Sequence, residues 1–192
     1  MTDLVPRPVV ADLPGGVDPT PSAAERRRTV VAFTARCLVD ADAAAVFAVL
    51  TDWPRQTNWV PATVVERLPG PVAAPGERFV GRSGAGPLAF DDPMTVVRRR
   101  EPAGGRPGVV DIVKTGTLLG GTVSIGVRDV GGGRTQVEWT ERIRVRPAWL
   151  SHLAAVAGPV PGWLGTAAFT AVLRTMVRDT FRGDAAPGAR GQ

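Results

Sequence analysis

The chain has 192 residues, 44% of them hydrophobic, and a formal net charge of +5. That is enough for one well-buried domain and short for two once the ends are discounted. The basic excess argues against nucleic acid rather than for it: it consists of scattered arginines with Lys114 the only lysine, the runs Arg26-Arg27-Arg28 and Arg98-Arg99-Arg100 each adjoin a glutamate, and no tyrosine is present to stack on a base.

Pro6, Pro8, Pro14, Pro19 and Pro21 interrupt any helix that a signal peptide would need. Residues 1–28 are therefore expected as a disordered tail, residues 29–182 as the folded domain, and residues 183–192, which lack apolar periodicity, as a second tail. Cys37 is the single cysteine, so no intramolecular disulfide can form. A reducing, cytoplasmic setting fits, with the thiol acting as a small buried hydrophobe.

Thr29 to Val39 alternates, with Val31, Phe33, Ala35 and Cys37 on one face and Thr34 and Arg36 on the other, as a half-buried strand does. Asp40 or Asp42 then caps a short helix whose apolar stripe is Ala43, Val46, Phe47 and Leu50. Pro54 and Pro61 divide the next stretch, and Trp53 to Trp59 reads as a turn or a second short helix.

From Ala62 onward, strand-like runs recur between turn signals such as Pro69-Gly70-Pro71, Pro102-Ala103-Gly104-Gly105 and Gly131-Gly132-Gly133, the pattern of an antiparallel meander. In Arg134 to Val145 the set Thr135, Val137, Trp139, Glu141, Ile143 and Val145 is expected to face inward, which brings a carboxylate with it. The segment from Pro147 to Leu173 has no charged residue, but Gly158-Pro159, Pro161-Gly162 and Gly165 break it into pieces too short to span a bilayer. Within it, Ala148 to Ala157 is expected as a short apolar helical turn. Trp149, Leu150, Leu153 and Val156 either pack on the domain, the favoured reading, or touch a lipid surface transiently. The closing helix, Gly162 to Arg182, gathers Phe169, Val172, Leu173, Met176, Val177 and Thr180 on one side, and Arg174, Arg178 and Arg182 on another. The concave side of the sheet is the surface large enough for that apolar stripe to cover.

The run Val39-Asp40-Ala41-Asp42-Ala43-Ala44-Ala45-Val46-Phe47-Ala48-Val49-Leu50-Thr51-Asp52, with Trp59 and Pro61 after it, resembles the opening of the START-like, or SRPBCC, superfamily in its polyketide cyclase/dehydrase branch. Gly76-Glu77-Arg78-Phe79, the stretch from Gly86 to Met94, and Gly133 to Trp139 resemble its later strands. The resemblance covers nearly all of residues 29–182. It implies an α+β helix-grip fold: a seven-stranded curved antiparallel sheet around a long C-terminal helix, with two short helices after strand one. It also implies an internal cavity for a hydrophobic molecule, a lipid or a polyketide-like compound, and no particular reaction. The lining expected from that fold is Phe33, Trp59, Phe79, Phe90, Asp92, Met94, Ile112, Trp139, Glu141, Phe169, Val172 and Met176.

Glu141 and Asp92 are the candidate catalytic groups. Glu141, between Trp139 and Ile143, is either a desolvated acid or base, a ligand anchor, the partner of a buried arginine, or a group at a strand end already in water. Asp91 and Asp92 are adjacent in an extended run, so they point to opposite faces. Asp92 joins the inward set of Leu88, Phe90, Met94 and Val96, with a bend or bulge allowed at Pro93, and Asp91 is a solvated turn carboxylate. Arg98 continues the inward set, either as counter-charge to Asp92 or Glu141 or as a rim residue.

His152 beside Ser151 makes no catalytic pair, because chain neighbours do not supply a nucleophile and base in line. Gly81-Arg82-Ser83-Gly84-Ala85 misses the nucleophile-elbow pattern and reads as a hairpin turn. One histidine and one cysteine are too few for a conventional zinc site, and no glycine cluster leads into a phosphate-binding lysine. No metal or cofactor is expected. Three functions stay open: enclosure of a hydrophobic ligand by a monomer or homodimer, an aromatase/cyclase-type enzyme, or a protein-interaction module with a filled core.

Overall fold

The computed structural model describes residues 30–84, 86, 89–145 and 162–181. Strand β1 (Val30–Val39) is followed by helix α1 (Ala43–Leu50) and a 3-10 helix (Trp53–Asn58). Six strands come next: β2 (Thr63–Arg67), β3 (Arg78–Ser83), β4 (Phe90–Arg100), β5 (Gly108–Lys114), β6 (Leu119–Gly131) and β7 (Arg134–Val145). Helix α2 (Gly162–Phe181) ends the described chain. All seven strands form one antiparallel sheet in the order β1-β7-β6-β5-β4-β3-β2, curled into a half-barrel against α2, which is the helix-grip arrangement. Thr29, Leu88, the stretch Ala148 to Ala157, His152 and Arg182 lie outside the described residues.

The two edge strands, β1 and β2, are consecutive in sequence, so the chain must cross the mouth of the curl between them. It does so with α1 and the 3-10 helix. The first begins because the Asp42 side chain accepts hydrogen bonds from the amides of Ala44 (2.8 Å) and Ala45 (3.3 Å), satisfying two of the four N–H groups a first turn leaves unpaired. It buries Ala43, Val46, Phe47, Val49 and Leu50. Pro54 opens the 3-10 helix, where a missing N–H costs nothing. That helix buries Trp53, whose ring stacks on Phe79 of β3 with centroids 4.5 Å apart. The two helices thus close one end of the curl, and α2 runs beside β1 with Leu173 and Met176 fully buried.

Two local irregularities set which residues face inward. The pairing of β4 with β5 shifts between Val96 and Arg98, so a bulge there reverses the alternation beyond it. Pro93, by contrast, lies within the continuous strand opposite Val80. Gly81, Arg82 and Ser83 belong to β3 rather than to a hairpin turn, because pairing with β2 and β4 continues through them.

Gly121 of β6 sits at φ +143°, and a Cβ built there would lie 1.9 Å from the carbonyl oxygen of Arg142 on β7. Only glycine allows this approach of two backbones. Gly121→Ala is expected to cost more than about 2 kcal/mol, read from the midpoint of urea unfolding. Asp42→Ala, which removes only a cap, is expected to cost about 1 kcal/mol.

Candidate functional site

Between the concave face of the sheet, the 3-10 helix and α2 lies a hollow of about 400 Å³. Its walls are mostly aromatic and aliphatic. Phe33, Trp139 and Phe169 form a cluster, with ring centroids 5.4 Å apart for Phe33 and Phe169 and 4.7 Å for Trp139 and Phe169. Gly81 also lines the hollow, and its lack of a side chain leaves room between Met94 and Thr63.

One cluster of charged residues interrupts this lining. Lys114, the last residue of β5, donates to Asp92 Oδ2 on β4 at 2.7 Å and meets Glu141 Oε1 on β7 at 2.6 Å. The three residues are 8%, 6% and 5% exposed. The register explains how one ammonium reaches both carboxylates. Lys114 stands opposite Met94 on one side and Gly121 on the other, and Gly121 stands opposite Ile143. Asp92 and Glu141 each precede these register positions, Met94 and Ile143, by one inward position on their strands. Between Lys114 and β7 the facing position is a glycine, so no side chain obstructs the lysine stem.

Burial by itself would lower the pKa of the Lys114 ammonium. The charges of Glu141 and Asp92, with the hydrogen bonds to both, outweigh it and leave the pKa raised above the ordinary lysine value. Lys114 is therefore a fixed cation and hydrogen-bond donor at neutral pH, and not a free amine nucleophile.

Ten of the twelve residues expected in the lining are on the wall of this hollow: Phe33, Phe79, Phe90, Asp92, Met94, Ile112, Trp139, Glu141, Phe169 and Val172. Trp59 is not among them. It comes directly after the last residue of the 3-10 helix, where the backbone leaves helical geometry, and it lines a shallow outer groove with the Arg55 guanidinium 5.6 Å from its ring. Met176 lies further along α2 than Val172 and is packed into the closed part of the core.

Arg98 does not face Asp92 or Glu141. The bulge after Val96 turns it to the opposite face of the sheet, where it pairs with Asp111 at 2.6 Å. The partner of Glu141 is thus a lysine and not an arginine. Asp91 is exposed and bound to Arg82 at 2.8 Å, which lowers its carboxyl below the usual range. Burial raises the Cys37 thiol, with Arg174 opposing the shift.

Sequence reasoning overlooked Lys114 and Trp53. The signal for Lys114 was present: it is two residues beyond Ile112 on one strand, hence on the same face, and it is the only lysine of the chain. Among the described residues no group of three His, Cys, Asp or Glu side chains is placed to hold a metal ion. No described helix is long and apolar enough to cross a membrane.

A curled seven-stranded sheet gripping a C-terminal helix, with a lined hollow between them, defines a helix-grip fold. Solved structures agree. The Zhui aromatase/cyclase from Streptomyces sp. R1128 superposes with a TM-score of 0.56 at 15% identity, over 81% of this chain and 99% of that one. A START superfamily protein from Mycobacterium smegmatis gives 0.55 at 12% identity, over 79% and 97%. A norcoclaurine synthase point mutant from Thalictrum flavum, in complex with a transition-state analogue, gives 0.51 at 15% identity, over 80% and 97%. No protein-family profile and no curated protein sequence matches the chain. The chain shares the helix-grip fold of these solved structures.

Lys114→Met would leave two carboxylates buried without their cation, and is expected to destabilise by about 3–5 kcal/mol. Adding Asp92→Asn and Glu141→Gln is expected to recover most of that loss in the same denaturant titration. Because the folded pKa of Lys114 is raised, its contribution is complete below the ordinary value of 10.5 and is lost as pH climbs through the higher folded value. Thermal unfolding of wild type and Lys114→Met should converge at strongly alkaline pH.

Proposed function

We propose that this protein encloses an apolar small molecule, a lipid or a polyketide-like aromatic, in the hollow between its sheet and α2, and that Lys114 orients the guest. The observation that carries this reading is an apolar hollow of about 400 Å³ with one charged cluster in its wall. That size falls within the roughly 300–1,000 Å³ typical of small-molecule sites. Affinity would come from buried apolar area, at roughly 25 cal/mol per Å² before ordering costs are subtracted. Direction would come from the cluster: an ammonium has three N–H donors, and two of those on Lys114 are committed to Asp92 and Glu141. The third suits an oxygen of the guest. An interaction module with a filled core fits the lining less well, since packed interiors leave few voids larger than a water molecule. The lone Cys37 fits a cytoplasmic setting.

One observation favours a second reading, an aromatase/cyclase-type enzyme: two carboxylates flank the Lys114 ammonium on the cavity wall. In that chemistry Lys114 would hold a carbonyl oxygen while Glu141 or Asp92 takes a proton from the neighbouring carbon. The carboxylate would give up part of its bond to Lys114 as it did so.

Native mass spectrometry of freshly purified protein is expected to show a small-molecule adduct. Gly81→Leu, which pushes a side chain into the hollow, is expected to weaken binding of an apolar dye by about tenfold or more while the protein stays folded. Unchanged dye affinity in that variant would sink the enclosure reading. If the protein is also a cyclase, Glu141→Gln or Asp92→Asn should retain dye binding and lose turnover of a poly-ketone by about 100-fold or more.

A further inference from the structure

Apart from the Lys114 cluster, three side chains bearing an amide or a hydroxyl line the hollow among the described residues: Gln56, Thr63 and Ser83. Gln56 is buried and gives an amide N–H to the carbonyl of Leu50 at 3.2 Å, which ties it to the end of α1. Thr63 and Ser83 stand opposite each other on β2 and β3, both half-buried, with their hydroxyl oxygens 2.8 Å apart. They share the concave side with Val65 and Gly81, the alternate residues of the same strands, which also line the hollow. Thr63, with Val60 and Pro61, borders the outer groove of Trp59 as well, so the pair marks the rim of the hollow.

A hydroxyl has one proton to give and two lone pairs. Thr63 Oγ1 donates to the Pro61 carbonyl at 3.2 Å, so Ser83 is the donor in the bond between the two hydroxyls. With that bond reversed, Ser83 Oγ still keeps a lone pair. No other hydrogen bond of Ser83 Oγ occurs among the described residues. Ser83 is therefore an acceptor at the rim of a wall that holds, further in, an ammonium that only donates. Ser83 faces Phe90, and Asp92, which Lys114 touches, is the next inward residue of β4. The two stations are thus roughly 8 Å apart across the concave face, from the rise along a strand and the spacing between strands.

Building on the enclosure reading, we propose that Ser83 is a second polar station of the hollow, accepting a hydrogen bond from a hydroxyl of the guest while an oxygen at the guest's other end turns to Lys114. The hollow is thereby matched to a ring compound with an acceptor oxygen at one end and a hydroxyl at the other, and mismatched to a hydrocarbon chain with a single head group. The tilted rings of Phe33, Trp139 and Phe169 suit the flat body between the two ends.

The test uses the full-length protein at neutral pH and three probes of one ring size, each displacing Nile red: 6-acetyl-2-naphthol, its methyl ether and 2-acetylnaphthalene. All three carry the ketone, and only the first has a hydroxyl to donate. It is expected to bind about fivefold tighter than the other two. Ser83→Ala should bring it down to the level of 2-acetylnaphthalene and leave the other two within about twofold of their wild-type affinities. Gly81→Leu is the control that weakens every probe. Equal binding of the naphthol and its methyl ether would overturn the proposal and leave enclosure standing. So would a hydroxyl preference that survives Ser83→Ala. No displacement by any probe would overturn enclosure and, with it, this inference.

Discussion

A single ammonium between two carboxylates ties three strands of the sheet together at the floor of the hollow. Lys114 holds Asp92 of β4 and Glu141 of β7, so side chains from β5 and from both flanking parts of the curl converge on one point. The desolvation of three charges is a large cost, and it is met only because the partners are within hydrogen-bonding distance and the charges oppose. A purely apolar set of side chains at these positions would be cheaper to bury. The cluster therefore puts charge into a wall that is otherwise mostly apolar. The same convergence requires a strand position free of any side chain, which Gly121 supplies, at a backbone angle other residues avoid.

Much of this arrangement was legible in the chain. Period-two alternation in β7 placed Trp139, Glu141 and Ile143 on one face, and the structure lines the hollow with all three. The apolar stripe of α1 and the capping role of Asp42 came from spacing and from the hydrogen-bonding habit of a short carboxylate. Opposite orientation of Asp91 and Asp92 came from strand geometry alone: one pairs with Arg82 in solvent and the other with Lys114 inside.

Misreadings arose where a local rule gave way to tertiary structure. Alternation carried through Val96 would have sent Arg98 inward, but one extra residue in β4 reversed the faces, and bulges leave little trace in a single sequence. Trp59 sits two turns after Trp53, and only the end of the short helix separates the tryptophan that stacks on Phe79 from the one that meets Arg55. Lys114 was hidden by composition, since in a chain so rich in arginine a lone lysine reads as one more surface charge. Its distance of two residues from Ile112 carried the better information.

Placing β1 beside β7 has a consequence for how the molecule is made. Val30 pairs with Arg144 and Val39 with Thr135, so among the described strands the first to leave the ribosome waits for the last. The hairpins from β2 to β6 can zip up in order of synthesis, since each strand pairs with its predecessor. Meanwhile Phe33 and Ala35 stay unsheltered, and so does the β6 edge, until β7 arrives and the first strand docks onto it. Until then the first strand and the β6 edge both present unpaired backbone, the kind of edge to which extended chains add.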